Sequence, residues 1–147
     1  MKVICKENTA EHLDLNEVKG VSCDTVYPLI KGKEYIVMGV MMLRDSNCLY
    51  YLVDEDGQPY WVPYGLFDVS DNQVSFNWAI NDWSIKVFSK KDYLSNLFYL
   101  VGFNELCNDE KYYDDLMKRE QYALDIYFKR KAEIQALYDE QPSVNQQ

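Results

Sequence analysis

The residues of this chain most able to do chemistry are carboxylates interleaved with aromatics. Between Arg44 and Lys86 there is no Lys and no Arg, while Asp45, Asp54, Glu55, Asp56, Asp68, Asp71 and Asp82 all fall in that interval. Those seven acids account for most of the net charge of −9. The same interval carries Tyr50, Tyr51, Tyr60, Trp61, Tyr64, Phe67, Phe76, Trp78 and Trp83. Carboxylates without local counter-charges steer a cationic surface into contact, and Tyr and Trp supply desolvated anchors at protein interfaces. The pattern predicts a surface for a basic protein partner. Its candidate contacts are Asp54, Glu55, Asp56, Tyr60, Trp61, Tyr64, Asp68, Asp71, Trp78 and Asp82.

Other chemistries find less in the sequence. Asp54-Glu55-Asp56-Gly57 invites a calcium loop, but such a loop needs ligands at positions 1, 3, 5 and 12 with glycine at 6. Here glycine comes fourth, and Gly65 would stand at position 12. His12 is the one imidazole, so nucleophilic catalysis through histidine would have to use it, and nothing around it resembles a nucleophile elbow. Cys5, Cys23, Cys48 and Cys107 form no C-x-x-C pair, which removes the zinc-ribbon spacing. The six glycines are scattered and make no phosphate-cradling loop. Abundant acids make any carboxylate pair uninformative about hydrolysis. The expectation is a protein that is not an enzyme, with no catalytic residue, no metal and no cofactor.

Charge and hydropathy narrow the partners. With 24 acidic against 15 basic residues, the chain is repelled by phosphate backbones and anionic lipid. Neither nucleic acid nor membrane is expected to bind. The longest apolar stretch, 35–43, is far shorter than a spanning helix of about 20 residues. Residues 1–7 become charged again at Lys6 and hold no apolar core of a signal peptide. A cytoplasmic chain with reduced thiols is expected, its cysteines serving as small buried hydrophobes.

The elements that must position the acids and aromatics read as follows. Residues 1–29 are mixed in texture, and about 30–88 read as β-structure. Lys2 to Glu7 alternates enough for a first strand, and 8–20 is a polar loop or a single helical turn. A Lys31-Gly32-Lys33 turn leads into 34–43, apolar at both parities, as a strand covered on two sides would be. Strands at 48–53 and 58–62 flank an Asp56-Gly57 hairpin turn. Pro63 marks an edge or a kink. Residues 66–69 form a short strand with Phe67 in the core and Asp68 in water, and 77–88 offer a closing strand. From Ser89 the texture becomes helical: Ser89-Lys90-Lys91-Asp92 resembles a capping box that opens a helix over 92–101, ended by Gly102. A second helix over 109–138 starts at Asn108 or Asp109, with Tyr113, Leu116, Met117, Leu124, Tyr127, Phe128, Ile134 and Leu137 at helical spacing. At about 45 Å it outruns a small domain, so its end projects or it breaks. Residues 141–147 read as a flexible tail. The fold class expected is α+β, a bent antiparallel sheet or small barrel over 1–88 with a helical region, 89–140, packed on it as one unit.

Three stretches sharpen this. They are Tyr27-Pro28-Leu29-Ile30-Lys31-Gly32-Lys33-Glu34-Tyr35-Ile36-Val37, then Tyr51-Leu52-Val53-Asp54-Glu55-Asp56-Gly57, then Pro63-Tyr64-Gly65-Leu66-Phe67-Asp68-Val69. Together they resemble small bacterial and phage SH3-like proteins, with Asp68 where that pattern carries Glu. The resemblance spans about 27–69 and implies an SH3-like sheet. In size and charge the chain is also similar to the immunity proteins that neutralise bacterial toxins. That similarity implies an inhibitor that occludes a basic toxin domain, most concretely a nuclease, by electrostatic and steric blocking. Two alternatives stand beside it: an SH3-like adaptor recognising a peptide on its aromatic face, and an acidic nucleic-acid mimic of phage origin that disarms a host defence protein.

Overall fold

A computed structural model describes residues 1–18, 20–44, 47–75, 77–82 and 97–140. The strands are β1 (Lys2–Cys5), β2 (Glu34–Ile36), β3 (Gly39–Leu43), β4 (Leu49–Glu55), β5 (Gln58–Pro63), β6 (Phe67–Asp71), β7 (Ala79–Asp82) and β8 (Leu97–Gly102). The helices are α1 (Asn104–Asn108), α2 (Glu110–Met117) and α3 (Gln121–Glu140). The fold is α+β, as the sequence predicts. Two antiparallel sheets run in the orders β2-β1-β6 and β5-β4-β3-β8-β7, and among the described residues they close no barrel.

The bend between the sheets lies inside the apolar run 34–43. The amide of Val37 donates to Met1 O at 3.1 Å, in the small sheet, and the next amide, Met38, donates to Leu52 O at 2.8 Å, in the large one. Changing partners between adjacent residues turns one extended segment into β2 and β3. It also explains why both parities are apolar. Tyr35 and Val37 enter a core between the two sheets, with Val3, Tyr51, Val53, Val62 and Phe67. Ile36, Met38 and Met41 enter a second core under the helices, with Leu52, Leu100, Leu106, Leu116 and Tyr127. Each odd–even pair of side chains therefore feeds a different core. Phe67 is 6% exposed and its neighbour Asp68 faces water, in the register expected.

The hairpin forms as predicted. Asp56 and Gly57 have φ of 50° and 73°, the two positive angles of a type I′ turn, and Glu55 pairs with Gln58. β5 is an edge strand and carries both Pro59 and Pro63, whose missing N–H groups cost nothing there. Within 77–88, Ala79–Asp82 forms β7, and the remainder from residue 83 lies outside the described residues.

The helical half departs from expectation in two places. Residues 97–101 lie in the segment read as a first helix, but they form β8, paired to both β3 and β7. Leu97-Phe98-Tyr99-Leu100-Val101 has no polar position, so it offers no solvent face for an amphipathic helix and suits a strand flanked on both sides. The capping-box residues and the tail at 141–147 lie outside the described residues. Gly102 ends no helix. It stands opposite Gly39 on one side and Ala79 on the other, and this row of small residues seats Leu106 of α1. A Cβ at Gly39 would come within 2.7 Å of Leu106 Cδ2.

The long helix over 109–138 is two helices. α2 starts where expected, with the Asp109 carboxylate accepting the Tyr112 amide at 3.0 Å. It ends at Met117 with Lys118 as its C-cap, and Arg119 takes a left-handed φ of 60° before α3 begins. The break resolves the length problem: α3, with 20 residues, is about 30 Å long. It packs on the large sheet through Ala123, Leu124, Tyr127 and Ile134. No helix among the described residues is long and apolar enough to cross a membrane.

Candidate functional site

The hairpin acids were predicted to face a partner, and two of the three are taken by the chain itself. At the end of β4, alternation points Asp54 toward the helices and Glu55 toward the small sheet. Tyr127 of α3 donates its hydroxyl to Asp54 Oδ1 at 3.0 Å, and Lys131 donates to Oδ2 at 2.8 Å. The Asp54 side chain is 9% exposed. On the other face, Lys33 donates to both Glu55 oxygens at 2.9 and 2.8 Å, and Tyr35 donates its hydroxyl to Oε2 at 2.5 Å. Burial alone would raise the Glu55 carboxyl, but the Lys33 ammonium and the Tyr35 hydroxyl outweigh it and hold the group below its usual range. Burial and the bond to Asp54 push the Tyr127 hydroxyl well up. Each acid is thus closed by one lysine and one tyrosine. Asp54 latches α3 to the hairpin, and Glu55 latches the turn before β2. Asp56, at the turn itself, is exposed.

The other predicted contacts are dispersed. Tyr60 is partly exposed, with the Arg119 guanidinium 4.9 Å from its ring centre. Trp61 packs on the helical core over Gly39. Tyr64 is 42% exposed and meets Tyr51 edge-on at 6.5 Å. Asp68 is exposed and pairs with Lys6 at 3.4 Å. Asp71 accepts the Gln73 amide at 2.8 Å. Trp78 and Asp82 lie before and at the end of β7, the strand at the opposite end of the large sheet's order from β5. The structure brings Asp54, Glu55, Asp56, Tyr60 and Trp61 together on one hairpin, puts Asp68 and Asp71 on the other sheet, and assembles no single acidic and aromatic face from the ten.

Exposed carboxylates gather elsewhere, in the loop before β2. Glu11, Asp14 and Asp24 are exposed and make no ion pair among the described residues. The loop is anchored by a Thr9–Val26 bridge and by the Ala10 amide donating to Thr25 O at 2.9 Å. Leu13 lies so close to Gly65 that a Cβ there would be 2.8 Å from its Cδ2, so the loop lies against the turn that carries Tyr64. Leu15, Val26 and Tyr64 are 43%, 70% and 42% exposed. Sequence reading missed this surface because it followed the aromatic residues. The available signal was four acids between residues 11 and 24 against Lys19.

His12 is exposed in the short 3-10 turn of this loop. Cys5, Cys48 and Cys107 are buried, as small hydrophobes would be, whereas Cys23 is exposed, and all four are free thiols. Burial pushes the Cys48 thiol up to about 11 and Cys107 up to about 12.

The fold and these surfaces define an α+β protein of two antiparallel sheets and three C-terminal helices, with acidic carboxylates at its exposed loop. Compared with protein-family models, with curated proteins and with solved structures, the chain matches none.

Proposed function

We propose that this chain is a non-enzymatic acidic binding protein that occupies a basic protein partner. The observation that carries the reading is the set Glu11, Asp14 and Asp24, exposed and without an ion pair among the described residues, in the loop that also exposes Leu15 and Val26 and lies against the turn carrying Tyr64. Carboxylates of that kind accelerate encounter, and apolar side chains next to them slow departure. The concrete form of the reading is an immunity protein that blocks a cationic toxin domain, such as a nuclease, by covering its phosphate-binding surface. The size of the chain and its net charge of −9 support it. Four free thiols support a reducing, cytoplasmic setting.

The test uses the partner recovered from the native cell and compares wild type with the triple variant Glu11→Gln, Asp14→Asn, Asp24→Asn. These changes keep shape and remove three charges. Association should slow about three- to tenfold at low salt, with a shallower salt dependence and an unchanged melting temperature. An unchanged association rate would remove the loop, and with it this reading of the acid excess.

A further inference from the structure

We draw no further inference here: the strongest candidate, the apolar patch that exposed Ile80 of β7, Tyr99 of β8 and Met42 of β3 form on the face of the large sheet turned away from the helices, carries nothing because nothing in the structure shows what covers it.

Discussion

Two sets of carboxylates in this chain have the same chemistry and opposite surroundings. Asp54 and Glu55 lie in a stretch with no nearby Lys or Arg in sequence, yet Lys131 and Lys33 close on them from 77 and 22 residues away. Glu11, Asp14 and Asp24 lie closer to lysines in sequence and meet none among the described residues. A local charge count measures the composition of a segment. A surface charge depends on which distant elements fold over that segment, and here two lysines cross to the hairpin while Glu11, Asp14 and Asp24 make no ion pair among the described residues. The difference has an energetic side. A carboxylate shielded from water is costly unless it is paired and hydrogen-bonded, so its partners are structural necessities. A solvated carboxylate needs no partner and remains available to another molecule.

The contrast is tested most severely at Asp54. Asp54→Ala strips Lys131 and the buried Tyr127 hydroxyl of their acceptor and should cost about 3 kcal/mol, toward the lower end for a buried pair because Lys131 keeps some water. Urea unfolding would register it as a fall in midpoint at constant slope. A loss under about 1 kcal/mol would place Asp54 with the solvated acids and break the comparison.

A smaller effect is expected at the matching clamp. Tyr35→Phe removes the hydroxyl that donates to Glu55 and accepts the Ile30 amide at 2.9 Å, and should cost about 1–2 kcal/mol. The same clamp sets a pH dependence. Glu55 titrates below its ordinary 4.5 in the folded chain, as does Glu105, which Arg130 holds down. Between the folded and unfolded values the unfolded chain binds the extra proton, so stability rises with pH across that window. The contribution is fully present above about 4.5 and is lost as pH falls through the folded value. Glu55→Gln should flatten the dependence of the unfolding midpoint on pH below 4.5. An identical slope in the variant would mean that Lys33 and Tyr35 do not hold the carboxylate.

The triple loop variant Glu11→Gln, Asp14→Asn, Asp24→Asn should sit at the other end of the scale, within about 0.5 kcal/mol of wild type. A larger loss would show that the loop acids, too, are spoken for. A chemical control needs no mutation. Cys23 should react with a thiol reagent in the folded chain, while Cys5, Cys48 and Cys107 should wait for denaturant. Rapid native labelling of more than one thiol would mean that the buried set opens.

Residue-level signals predicted a good part of the fold. The Asp56-Gly57 turn, the Asp109 cap, the inward Phe67 and the two-sided burial of 34–43 depend on φ preferences, capping geometry and alternation, all properties of neighbours in the chain. The misread elements depended on context. For 97–101 an upstream capping pattern suggested a helix, and the sheet strands on both sides make it a strand. Gly102 looked like a helix stop, and the Met38 carbonyl, 2.8 Å from where a Cβ would stand, requires its lack of a side chain. The candidate site was legible only as composition. Ten residues chosen for their types divide among a clamp, two sheets and the two ends of one strand order, because residue type says nothing about what covers a side chain.

By itself, then, the sequence determined the α+β class, the turn and cap positions, the hydrophobic alternation and the excess of negative charge. Those follow from backbone preferences and from counting. Only the tertiary structure decided which of those charges remain open. Lys33, Lys131 and Arg130 reach their carboxylates by folding across 22, 77 and 25 residues. Separations of that size leave no periodicity in the chain, since the approach is fixed by how sheets and helices pack rather than by any spacing within one element.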